Sequence, residues 1–168
     1  TDGRQAIVCA RNGLLTTVAE TGSRFATLGR FPSVNEAGAV AFAAVESNGE
    51  SGVFVAVHGH IERHFRSGSG FAAFRGALIS GDGHLLALAT PDQGGQALFA
   101  GSDAVADRLL GLGDAWGGSH IVDFAPNPAS IDEAGRVAIR IRLADAREAI
   151  VLASPRHRHA QRREKGGG

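Results

Sequence analysis

The chain contains no methionine and no tyrosine, and only one cysteine, one tryptophan and one lysine. Each shortage excludes something. A lone cysteine, Cys9, cannot close a disulfide within the chain, so no covalent framework holds the fold and cysteine usage points to no compartment. Cys9 lies in an apolar run and reads as a small buried hydrophobe rather than a reactive thiol. No run of 18 apolar residues occurs, so nothing here spans a membrane as a helix. The first residues lack the charged and apolar regions of a signal peptide. The missing methionine marks the sequence as beginning elsewhere than at an initiator, and it reads as a piece of a longer array. Formal net charge is zero, unevenly spread: from Pro155 onward five basic residues face one acid, which leaves −4 for the rest.

Glycine is abundant, at 24 residues in 168, and it falls where turns are expected. The organising stretch is Asn35-Glu36-Ala37-Gly38-Ala39-Val40-Ala41-Phe42. Asn35 opens a turn through its side chain, and Gly38 supplies the positive φ that such a turn favours. The apolar run after it, through Val45, predicts a strand buried on both faces. Sliding the chain by 46 residues lays Ala6–Ala10 on Gly52–Ala56, Phe25 on Phe71, Leu28 on Phe74 and Ala41 on Ala87, with no gap needed. Further slides of 45 and 52 carry that strand to residues 97–101 and 149–153. The motif returns around Asp132 and Gly135. In the middle copy Gly81 stands for the asparagine and His84 for the glycine, unless Asp82-Gly83 makes the turn one residue out of register.

Each unit reads as four short strands, in the clearest case over 28–34, 39–45, 51–57 and 60–66, joined by hairpin signals at residues 46–50 and at His58-Gly59, where the preceding copy has Asn12-Gly13. Four antiparallel strands every 45 to 52 residues is the period of a β-propeller blade. The expected fold is all-β, built from antiparallel four-stranded repeats, β-propeller-like, with a β-trefoil as the alternative. Residues 1–154 form one repeat domain with units at 5–31 (partial), 32–77, 78–128 and 129–153 (partial). Residues 155–168 form a basic disordered tail.

Candidate chemistry is sparse. His58, His60 and His64 are spaced so that a strand and its turn bring three imidazoles to one metal, although His58 stands where the earlier copy has a turn asparagine. The local Ser80, Asp82 and His84 lack the elbow and the distant partners of a hydrolytic triad. Residues 111–116 form a broken dinucleotide fingerprint with no βαβ context. Asp103 with Asp107, and Asp132 with Glu133, are paired carboxylates without calcium-loop spacing. The stretch 111–120 looks inserted by about six residues and holds the only tryptophan. Insertions in repeat proteins gather on the binding face, so Trp116, Asp114 and His120 are the candidate ligand residues. No catalytic residue and no cofactor is called for. The basic tail lacks interleaved aromatics, and nucleic-acid binding is not expected of it.

Asn35-x-x-Gly38-x-x-Ala41-Phe42, the preceding Phe31-Pro32-Ser33-Val34 and the following Gly52-Val53-Phe54 resemble the signature of the bacterial NxxGxxAF repeat proteins with a choice of surface anchor. Asp132-x-x-Gly135-x-x-Ala138-Ile139 resembles it too. The resemblance implies an exported bacterial protein, extracellular or on the cell surface, with further repeats of the same parent chain as neighbours; it carries over no functional residue. The leading expectation is a non-enzymatic scaffold binding protein or glycan through its loops. The alternative is a metal-dependent enzyme or metal-binding domain using His58, His60 and His64.

Overall fold

The computed structural model describes residues 3–154; the basic tail expected over 155–168 lies outside them. The described residues form antiparallel sheets with no helix, so the all-β expectation holds. Strands β1 (Ala6–Arg11) and β2 (Leu14–Glu20) pair as a hairpin. Their turn is Asn12-Gly13, with φ of 51° and 77°, the double positive φ that makes a two-residue turn match strand twist.

The first large sheet holds β3 (Phe25–Leu28), β4 (Ser33–Val34), β5 (Val40–Glu46), β6 (Ser51–Val57) and β7 (His60–Arg66). β3 and β4 both pair with β5, so they are one strand interrupted. The sequence expectation of a continuous strand over 28–34 is corrected here. A Cβ at Gly29 would lie 2.9 Å from the Ala43 carbonyl oxygen, and Pro32 has no N–H to give the ladder. The β6–β7 turn repeats the first hairpin, with His58 at φ 49° and Gly59 at φ 80°.

The second sheet is β8 (Phe71–Ile79), β9 (Leu85–Pro91), β10 (Ala97–Phe99) and β11 (Arg108–Gly111). β8 runs through the unit boundary drawn at 77/78. Its third hairpin is not a two-residue turn: the long loop 100–107 is tied by Asp103 Oδ1, which accepts from the Val105 and Ala106 N–H groups, and by Asp107. The last sheet is β12 (Ala115–Trp116), β13 (Ser119–Ile131), β14 (Val137–Leu143) and β15 (Glu148–Ala153).

Alternation along each strand sends side chains to two different cores. Val40, Phe42, Ala44 and Phe54 pack with Ile7 and Ala19 of the first hairpin. Ala39, Ala41, Ala43, Val53 and Val55 meet Phe71, Phe74, Ala87, Ala89 and Phe99 of the second sheet. Leu78, Leu86 and Leu98, on that sheet's other face, meet Ile121, Phe124, Ile139, Ile141 and Val151. The result is hairpin, sheet, sheet, sheet, with a core at each junction. That explains why β5 and β9 show almost no polar alternation.

Cross-strand partners fix which positions correspond between layers. Phe42 pairs with Phe54, Ala87 with Phe99 and Ile139 with Val151, so the true offset through β5 and β9 is 45, followed by 52. Phe25 and Phe71 keep the offset of 46. The gap-free slide is therefore corrected: one residue drops out between Leu28 and Ser33, and Ala41 corresponds to Leu86 rather than Ala87.

The junction between the first and second large sheets is also tied by polar groups. Ser33 Oγ accepts from the Ile79 N–H at 3.3 Å, and Ser51 Oγ accepts from the Phe74 N–H at 3.1 Å. Both serines are buried, and among the described residues no buried side-chain polar atom lacks a partner.

Candidate functional site

Three turns carry the recurring motif, and the structure settles the register left open in the middle one. At each turn a side-chain oxygen accepts from the backbone N–H four residues on: Asn35 Oδ1 from Ala39 at 2.9 Å, Ser80 Oγ from His84 at 2.9 Å, and Asp132 Oδ1 from Arg136 at 2.8 Å. At each, the fourth residue is glycine and its N–H donates back to the first carbonyl, at 2.9, 3.0 and 3.0 Å. The φ angles of Gly38, Gly83 and Gly135 are 82°, 84° and 73°. Ser80 and Gly83 therefore hold the places of Asn35 and Gly38, and the sequence reading that put Gly81 and His84 there is corrected. A hydroxyl, an amide and a carboxylate all serve, because the turn asks only for one acceptor on a short side chain.

The stacking of layers brings the three turns together at one rim. Asn35 Nδ2 donates to the Ser80 carbonyl at 2.9 Å, and a Cβ at Gly81 would lie 3.7 Å from the Glu133 side chain. Between them is a depression of about 630 Å³, walled by Asn35, Glu36, Ser80, Asp132, Glu133 and Arg136 over Ile79 and Ile131. Asn35, Gly38, Asp132 and Gly135 are legible as turn formers in the sequence, whereas nothing in it marks Glu36, Glu133 and Arg136 as rim charges. Only the order of the layers makes them neighbours. Burial pushes the Asp132 carboxyl up, but the Arg136 backbone N–H, the Arg136 side chain and its charge together hold it below the usual carboxylate value. Asn35 has a second duty that Asp132 lacks, since its amide reaches the next sheet. Asn35→Asp keeps the capping oxygen and loses that donor. The expected cost is about 0.5–1.5 kcal/mol, for one hydrogen bond lost from a carbonyl that still accepts from the Gly83 N–H. It is read from urea midpoints of the two proteins; an unchanged midpoint would remove the cross-sheet role.

The other candidate is the connection between β11 and β13. Arg66 corresponds to Gly111 and Phe71 to Ile121, so nine residues (112–120) stand where the earlier link has four (67–70), five more. The sequence estimate of about six inserted residues here is corrected, because the offset of 52 also contains a bulge within β13 between Pro126 and Ile131. The loop folds as a small hairpin, Ala115 opposite His120 and Trp116 opposite Ser119, closed by Gly117-Gly118 at φ 55° and 82°. Asp114 is spoken for: its carboxylate takes the Gly111 N–H at 2.7 Å and the Arg108 guanidinium. Arg147 Nη2 donates to the Gly117 carbonyl at 2.8 Å and ties the hairpin tip to the β14–β15 turn. Trp116 stays 48% exposed and His120 is exposed. Of the three residues expected to bind ligand, Asp114 braces the loop, and Trp116 and His120 are presented by it.

His58 sits in its turn, and His60 and His64 are exposed on β7. Among the described residues no group of three His, Cys, Asp or Glu side chains is placed to hold a metal ion, so the trio is not gathered. Ser80 is 2% exposed with its hydroxyl in the turn, facing no base. No helix follows residues 111–116 to receive a phosphate. Arg24, Glu46, Arg63, Glu50 and Arg66 form a chain of ion pairs across the first sheet, and the hydrogen bond from Arg63 draws the Glu50 carboxyl below its usual value. No helix long and apolar enough to cross a membrane occurs among the described residues. No protein-family model matches this chain, and no curated protein or solved structure shows significant similarity to it.

Proposed function

We propose that this chain is a repeat scaffold without catalytic activity, part of an exported bacterial protein of the NxxGxxAF kind, that binds a protein or glycan through the Trp116 hairpin. The sheets are read as propeller-like blades rather than trefoil units. What supports this is that each full layer is an antiparallel run of neighbouring strands, packed face to face on the next.

The single observation that carries the binding reading is Trp116. An indole 48% exposed, on an insertion braced by Asp114 and Arg147, is a rigid aromatic held out to solvent. Such side chains are the commonest anchors at recognition surfaces, because they bury a large area at little cost in side-chain freedom. The same reading places the parent protein outside the cell, by the family resemblance of the turn motif.

Trp116 is the only tryptophan, so its fluorescence reports on this loop alone. Soluble glycans and extracellular matrix proteins are titrated in separate arms. Calorimetry follows the variant, which has no indole to report: a saturable emission shift in the natural chain, with calorimetric binding lost in Trp116→Ala and the melting temperature preserved, supports the reading and identifies the ligand class. Binding that persists in Trp116→Ala, or emission unmoved by every probe, would overturn it.

A further inference from the structure

Three neighbouring edge strands lose their regularity at similar levels, and a cleft opens beside them. β3 and β4 are parted by residues 29–32, β8 shifts register between Phe74 and Gly76, and β13 shifts beyond Pro126. Such irregularities free an edge residue from the ladder and re-aim its side chain. Here Phe31, 68% exposed, and Arg75, also exposed, have no cross-strand partner and line the same cleft. The cleft has two adjoining lobes, of about 570 and 430 Å³, which share Phe31, Arg75 and Leu88. It runs along the sides of three consecutive sheets, and neither β1, β2 nor β15 lines it.

The two lobes differ in chemistry. The larger, between the first and second large sheets, is lined by Leu28, Phe74 and Gln96 as well as Arg30 and Arg75. The smaller, between the second and third, is walled by Ala77, Leu78 and Pro126. Most arginines of the described chain are paired with a carboxylate. Among the described residues Arg30 and Arg75 take part in no ion pair, and no carboxylate lines either lobe. Two unopposed guanidinium groups beside an apolar hollow are complementary to one kind of ligand, an anion carrying an apolar chain. An added peptide strand does not fit along β8, because the Phe74 and Ile79 N–H groups already donate to Ser51 and Ser33.

We propose that this cleft binds a small amphipathic carboxylate, its head group at Arg30 and Arg75 and its aliphatic chain in the apolar lobe. The planar guanidinium offers paired N–H donors that match both oxygens of a carboxylate. Phe31 borders both lobes, so it flanks the chain where it passes from one to the other. Lobes of this size take a small molecule rather than a folded partner. The site shares no residue with the Trp116 hairpin, so the two readings stand or fall separately.

The test is isothermal calorimetry on the full chain with octanoate as the probe, beside octanol, which lacks the charge, and acetate, which lacks the chain. Octanoate is expected to bind once per chain, and each control at least about tenfold more weakly. Arg75→Gln weakens octanoate by about tenfold or more and leaves octanol unchanged, since only a charge-assisted hydrogen bond is lost. Phe31→Ser weakens both. The two side chains are exposed, so circular dichroism and melting curves of each variant match those of the natural chain. Should Arg75→Gln melt early, Arg30→Gln makes the same test from the other guanidinium. Trp116→Ala binds octanoate as the natural chain does. Octanoate that fails to saturate, or that binds Arg75→Gln, Arg30→Gln and Phe31→Ser undiminished, would overturn the proposal. So would octanoate binding lost in Trp116→Ala, since it would then belong to the hairpin.

Discussion

Replacing Phe42 by alanine will destabilise the protein by about 3–5 kcal/mol, among the largest costs a single truncation brings. Phe42 is fully buried and sits opposite Phe54 across the β5–β6 ladder, with ring centroids 5.7 Å apart and stacked. Phe25 meets both rings edge-on, at 5.7 and 5.0 Å. Removing the central ring leaves a cavity that β-sheet neighbours cannot collapse into without breaking ladder hydrogen bonds, which is what places the cost at the upper end. The Arg24 guanidinium, 5.1 Å from the Phe54 ring centre, closes one side of this trio and pairs with Glu46. Chemical denaturation of the variant measures the loss. A cost below about 1 kcal/mol would mean the three rings do not form a shared core, since surface-like positions lie near that value.

Leu98→Ala and Ile150→Ala form the second expected pair of results. They remove similar aliphatic groups from equivalent positions of successive layers, so any difference comes from what covers them. Leu98 lies beneath the last sheet at 0% exposure, and its truncation is expected to cost about 2–5 kcal/mol. Ile150 is 73% exposed, and its truncation is expected to change the stability of the chain by no more than about 0.5 kcal/mol. Thermal or urea unfolding measures both. Equal costs at the two positions would contradict the layer order.

Much of the strand pattern was legible because the chain announces its hairpins locally. Asn12-Gly13 and His58-Gly59 lie between apolar runs, and a two-residue turn with both φ positive admits few residue types. β6 and β7 fall where the sequence puts them, at 51–57 and 60–66. What failed was register that depends on contact between distant segments. Gly29 and Pro32 both advertise a break, yet the approach of Gly29 to Ala43 comes from pairing with β5 and is invisible from the neighbouring residues. The middle turn could set either His84 or Gly83 at the glycine position, and a serine can cap as well as an asparagine. Composition alone therefore left two registers, which the Ser80–His84 hydrogen bond decides. The candidate ligand loop was found through its excess length and its tryptophan. The bracing role of Asp114 was not, because Arg108 lies on β11 and Asp114 in the loop after it, and nothing in their spacing distinguishes a brace from a ligand. The rim of charges around Asp132 needed the stacking order, which no single segment encodes.

The two junctions between the large sheets are joined by different means. Between the first and second sheets, Ser33, Asn35 and Ser51 each hold a backbone group of the opposite layer at 2.9 to 3.3 Å. Hydrogen bonds are directional, so these contacts resist sideways slip as well as separation. Between the second and third sheets the facing surfaces are Leu78, Leu86, Leu98 and Leu110 against Ile121, Phe124, Ile139 and Ile141. Apolar burial favours closeness without specifying direction. Under shear along the strands, the first joint is latched at three points, and the second relies on the interlocking shapes of its side chains.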